Sequence, residues 1–97
     1  MTQDQMKELA QNFRDNVDKI LPDTPYNQNR IKEIKNLDAY VKQAGRKVHY
    51  SYDSENTEFI EKISMKTQDL TTKVIKYILD PKNNSVIDIQ DISGKSF

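Results

Sequence analysis

The 97-residue chain contains no cysteine and no tryptophan, a single histidine, two glycines and three prolines. Without cysteine there can be no disulfide framework, thiolate zinc site, iron–sulfur centre or cysteine nucleophile, so the fold must rest on packing alone. His49 has no second imidazole or thiol with which to share a metal, and its alternating position in a strand reads as outward. No stretch approaches the roughly 18 consecutive apolar residues of a membrane span. Asp4, Glu8, Asp15 and Asp18 occupy the first twenty residues with no apolar run among them, which is unlike a secretory signal and reads as a cytoplasmic protein. Charge of one sign is also lacking: 15 Lys and Arg balance 15 Asp and Glu, so no strong overall field attracts a polyanion.

What is present suffices for one domain, 1–97, with a helical hairpin over 1–45 and an antiparallel sheet over 46–97. A chain of this size buries only about 60–65% of its unfolded surface. Its apolar residues, 35% of the total, are therefore needed for a single core, and little remains to line a deep substrate pocket.

From Thr2 to Leu21 the residues Met6, Leu9, Ala10, Phe13, Val17, Ile20 and Leu21 recur every three or four positions, the spacing of an amphipathic helix. Thr2 and Gln5 fit a capping box at its start. Pro22 and Pro25 end it, because proline lacks a donor and disfavours helical geometry in the residue before it. A second helix is expected over Tyr26–Ala44, with Ile31, Ile34, Leu37, Tyr40, Val41 and Ala44 on its apolar stripe and Gly45 as its stop. The period then changes to two. Val48, Tyr50 and Tyr52 alternate with His49, Ser51 and Asp53 as a half-buried strand, with core packing the reading for the tyrosines over a base-stacking platform. A further strand is expected over Glu58–Lys66, with Phe59, Ile63 and Met65 on one side, although Glu61 interrupts that face and a short helix would also fit. Thr71–Leu79 and Ser85–Ile92 flank an Asp80–Asn84 turn and predict a hairpin. The fold class is α+β: two N-terminal helices and an antiparallel meander of three or four strands.

Chemistry is sparse. Asp53, Glu55 and Glu58 crowd one turn but lack the glycine and terminal glutamate of a calcium loop. Gly94-Lys95-Ser96 resembles the end of a phosphate-binding loop, yet the earlier glycine this motif needs is Ile89. No nucleophile, base and orienting group can be assembled, so the chain reads as non-enzymatic, with no catalytic residue, metal, cofactor or small-molecule substrate.

Two surfaces remain. Residues 24–49 carry six basic and two acidic side chains, and Lys32, Lys35, Lys42 and Arg46 project within about 80° of one another on the second helix. With Lys47 they form the alternative site, a phosphate-facing stripe for nucleic acid, set against the simpler reading of a solvated helix face. In the hairpin, Ile75, Tyr77 and Leu79 share one side with Ile87 and Ile89, while Val74, Ile78, Val86 and Ile92 fall on the other. Two apolar sides are one too many for a sheet covered on one side. Val74, Ile78, Val86 and Ile92, edged by Lys76 and Asp88, are accordingly the expected protein interface, for another protein or for self-association.

The run Leu37-Asp38-Ala39-Tyr40-Val41-Lys42-Gln43-Ala44-Gly45-Arg46-Lys47-Val48-His49-Tyr50-Ser51-Tyr52-Asp53 resembles the FlaG family of small flagellar proteins, in which an amphipathic helix leads through a basic turn into a strand of hydrophobic-x-aromatic pattern. Val74–Ile87 is similar to that family's strand, turn and Val-Ile strand. The resemblance covers about residues 37–92, with 58–70 reading as an insertion and the first helix lacking a counterpart. It implies a non-enzymatic role in flagellar filament assembly or length control through protein contacts, and carries over no functional residue.

Overall fold

The computed structural model describes residues 1–44, 47–64 and 72–93. Three helices, α1 (Gln3–Asp15), α2 (Val17–Ile20) and α3 (Pro25–Ala44), precede four strands, β1 (Lys47–Asp53), β2 (Glu58–Ser64), β3 (Thr72–Leu79) and β4 (Val86–Asp91). The strands form one antiparallel sheet in the order β1-β2-β3-β4. The chain is thus α+β, with a four-stranded meander. The ambiguous segment after Glu58 is a strand, paired on both sides. Gly45, Arg46, Met65 and Gly94-Lys95-Ser96 lie outside the described residues.

The capping box forms as the spacing predicts. Thr2 Oγ1 accepts from the Gln5 amide at 3.1 Å and Gln5 Oε1 accepts from the Thr2 amide at 2.8 Å. The first helix does not run unbroken to Leu21. It is interrupted at Asn16, whose amide is shared between the Asn12 and Phe13 carbonyls. Its side chain donates back to the Asn12 carbonyl at 2.9 Å. Asparagine competes in this way with the helical ladder, and the interruption still allows Phe13, Val17 and Leu21 to enter the core. At the start of α3, Pro25 occupies the first helical turn, where its missing donor costs nothing, and Thr24 Oγ1 accepts from the Asn27 amide at 3.1 Å.

One face of the sheet meets the helices. Met6, Ala10, Phe13, Val17 and Leu21 from α1, α2 and the segment after them, Ile34 from α3, and Tyr50, Phe59, Ile63, Ile75, Tyr77, Leu79, Val86 and Ile89 from the sheet form one core. Phe59 lies at its centre, stacked on Tyr77 with centroids 4.8 Å apart and edge-on to Tyr50 at 6.0 Å.

The register corrects the expected sides of β4. Ile78 pairs with Asp88 and Leu79 with Val86, so Ile87 is the extra residue of a β-bulge. A bulge breaks the period of two. Val86 therefore turns into the core and Ile87 turns out, 48% exposed, the reverse of the alternation expected. Val86 is in this way removed from the helix-free face.

Candidate functional site

Two features of the fold concentrate polar side chains. The first is enclosed between α1, α3 and the sheet. Glu61 shares its side of β2 with Phe59 and Ile63 and is completely buried; Arg14 of α1 is 4% exposed. Isolated buried charges are prohibitively costly, so such a carboxylate persists only with a full set of partners. Arg14 Nη1 donates to Glu61 Oε1 at 3.1 Å, Tyr77 donates to the same oxygen at 2.7 Å, and Tyr50 donates to Oε2 at 2.6 Å. Arg14 Nη1 also donates to the Tyr77 hydroxyl. Its Nε reaches Asp38 of α3 at 3.1 Å, and Gln11 bonds both Arg14 and Asp38. One guanidinium thereby ties both long helices to two strands.

The electrostatics follow from this packing. Burial works against the Arg14 charge, but the facing Tyr77 oxygen and the Glu61 carboxylate outweigh it and hold the guanidinium above its usual pKa. Burial, reinforced by the bond to Glu61, pushes the Tyr50 hydroxyl up. Burial and the neighbouring Glu61 charge do the same to Tyr77. Burial would raise Asp38, but its bonds from Lys42, Gln11 and Arg14 bring its carboxyl below the ordinary range. Completely buried, Glu61 cannot meet an external substrate, so the cluster is an internal clamp. A groove of about 430 Å³ bordered by Gln3, Lys7, Gln11 and Lys42 reaches Arg14 and Tyr50 at the rim of the cluster. Another of about 420 Å³ runs between α3 and β3–β4 past Arg30, Tyr40, Lys73 and Asp91. There Lys73 pairs with Asp91 at 3.1 Å and Arg30 pairs with Asp88, so the groove's cations already carry acids.

The second feature is the sheet face away from the helices, on which no described element packs. By register it presents His49 and Ser51 from β1, Glu58, Ile60 and Lys62 from β2, Val74, Lys76 and Ile78 from β3, and Gln90 and Ile92 at β4. Of the expected interface residues, Val74 and Ile92 come together: the Ile92 amide donates to the Val74 carbonyl at 2.9 Å, and the Val74 amide donates to Ser93 Oγ at 2.9 Å. They are only 7% and 6% exposed, although neither belongs to the main core. Ile78 is half-buried, Lys76 leans to within 3.9 Å of Glu58, and Asp88 is drawn to the sheet's edge by Arg30. Half-buried Ile60 shares this face, opposite Phe59 and Ile63 as its place in the alternation of β2 requires, although it is not among the expected interface residues.

Each outer edge of the sheet is capped by side chains at one residue. The Gln3 side chain accepts from the Tyr50 amide at 2.8 Å and donates to the Tyr50 carbonyl at 2.6 Å, filling the middle of β1's open edge. At β4 the Ile89 amide donates to Asp88 Oδ1 at 2.9 Å, and Arg30 Nη2 lies 3.5 Å from the Ile89 carbonyl. Unpaired strand edges invite another chain to add a strand; here side chains stand in the middle of both.

The basic stripe is partly neutralised. Lys35 lies 3.7 Å from Asp18, and Lys42 lies 2.9 Å from Asp38 and 3.9 Å from Asp15. Lys32 is exposed, and Lys47 is described only through its backbone in β1. His49 points outward as expected and Tyr50 packs in the core, while Tyr52, towards the end of β1, is 39% exposed. Among the described residues, no three His, Asp or Glu side chains converge to hold a metal, and no helix is long and apolar enough to cross a membrane. Comparison with family models, curated proteins and solved structures finds no match to the chain.

Proposed function

We propose that this protein is a small non-enzymatic accessory protein of the cytoplasm that works by binding another protein through the helix-free face of its sheet. The observation that carries this reading is the combination of a face on which no described element packs, centred on Ile60 and Ile78, with edges capped at Tyr50 and Ile89. Strand addition needs free backbone groups along an edge, so a partner has the face to dock on. The resemblance to the FlaG family supports a setting in flagellar filament assembly or length control. The nucleic-acid alternative is weakened by the acids paired to Lys35 and Lys42, since only a few phosphates could then be neutralised and affinity at physiological salt would be low.

A photo-crosslinking side chain in place of Ile60, in cells that make the protein, tests the reading. The expected result is one discrete protein adduct that is lost when Lys62→Glu is added and is absent when the crosslinker replaces exposed Glu55. Adducts formed equally at both positions, or adducts to nucleic acid alone, overturn it.

A further inference from the structure

The cap on the outer edge of β1 stands where a further strand would. Tyr50 lies opposite Glu61 of β2, yet its amide and carbonyl both turn away from β2 and close on the Gln3 side chain, at 2.8 and 2.6 Å. Residues of this kind alternate along an antiparallel ladder, so Val48 and Tyr52 turn their backbone groups to the same side. Gln3 is held in place by the capping box of α1, in which Thr2 and Gln5 bond each other on either side of it.

A two-fold axis through Tyr50, perpendicular to the sheet, sets β1 antiparallel to itself in a register that suits every pair. Val48 meets Tyr52 on the helix side, while Lys47 meets Asp53 and His49 meets Ser51 on the other. Residues 48, 50 and 52 then oppose one another, as hydrogen-bonded pairs require. Tyr50 falls on the axis, but its ring stays in its own core, where its hydroxyl bonds Glu61. The pairing also covers Tyr52, which is 39% exposed. Main-chain bonds supply the affinity of an added strand, so no large area is needed. A neighbouring strand lies about 4.8 Å away, in the space that Gln3 fills.

We infer that Gln3 is a latch that keeps β1 closed to strand addition, and that the strand it excludes is β1 of a second copy. The latch is separate from the binding proposed for the helix-free face: it keeps a self-complementary edge from pairing while that face stays open.

Sedimentation of Gln3→Ala tests it. Gln3 is exposed, and alanine suits its place in the helix. Adding a strand breaks two hydrogen bonds in each copy, so removing all four beforehand should tighten association by about 100-fold or more. Combined with Gln3→Ala, Tyr52→Lys and Lys47→Asp are each expected to restore the monomer. The first puts a charge opposite Val48, and the second sets like charges against each other at both ends of the paired strands. Ile87→Lys, at the far edge of the sheet, is expected to leave the dimer intact, and thermal melts confirm that every variant folds. A Gln3→Ala chain no more associated than the unaltered one up to about 1 mM overturns the latch. So does a dimer that survives both β1 changes or is lost with Ile87→Lys.

Discussion

Cutting the Arg14 side chain back to Ala would leave the completely buried Glu61 carboxyl facing two tyrosine hydroxyls without its counter-charge. Breaking a buried pair by removing one partner costs about 3–5 kcal/mol, a large share of the 5–15 kcal/mol by which domains are usually stable. Urea unfolding of Arg14→Ala should show a loss of that size. Removing both charges, as Arg14→Met/Glu61→Leu, should cost less than the sum of the single changes, with a coupling of at least about 1 kcal/mol; additive losses would mean that the pair is not the unit described. The same cluster sets the pH response. Asp38 has a depressed pKa in the folded chain, so its contribution is complete above about pH 4, the ordinary carboxylate value, and is lost as pH falls through the lower folded value. Tyr50 and Tyr77 have raised values. Their contribution is complete below about pH 10, the unfolded tyrosine value, and is lost as pH rises further towards the folded values. Stability measured across pH should therefore fall at both extremes, and Asp38→Asn should blunt the acid limb while Tyr50→Phe blunts the alkaline one.

Among the elements, the helices and the strand over Val48–Tyr52 were legible in the sequence because their apolar periods of 3.6 and 2 are long and regular. Two places were not. Glu61 looked like a break in the β2 face because its partner, Arg14, lies 47 residues away, and spacing along one strand does not reveal a counter-charge supplied by a helix. A signal did exist, in that Arg14 falls next to Phe13 near the border of the α1 apolar stripe. The sides of β4 were misread because a single bulged residue, Ile87, reverses the alternation, and no glycine or proline marks it. The correction is testable: Ile87→Lys should change stability by no more than about 0.5 kcal/mol, as for an exposed position, whereas Ile89→Lys should cost at least about 3 kcal/mol by burying an unpaired charge. Equal effects would restore the unbulged register. In the β1–β2 turn, Thr57 has φ of 53°, a left-handed conformation that costs a β-branched residue about 1–2 kcal/mol. Glycine removes that strain but loses more chain entropy, so Thr57→Gly should raise stability by up to about 1 kcal/mol in thermal or urea unfolding.

For the molecule as a whole, the question is where its apolar surface goes. The sequence offered two apolar sides of a sheet and helices for one. The structure reduces that excess without removing it: Val86 joins the core, Val74 and Ile92 are buried apart from the main core, and Ile60 and Ile78 stay half-buried on the side that no described element covers. With Gln3 and the Arg30–Asp88 pair capping the middle of the two edges, that side is the surface proposed to bind a protein. A photo-crosslinking side chain placed in turn at Ile60, at exposed Glu8 on α1 and at exposed Lys32 on α3, in cells that make the protein, tests this most directly. The expected result is a discrete protein adduct from position 60 and none from positions 8 and 32; adducts formed equally from the helix positions, or none from position 60, would contradict it.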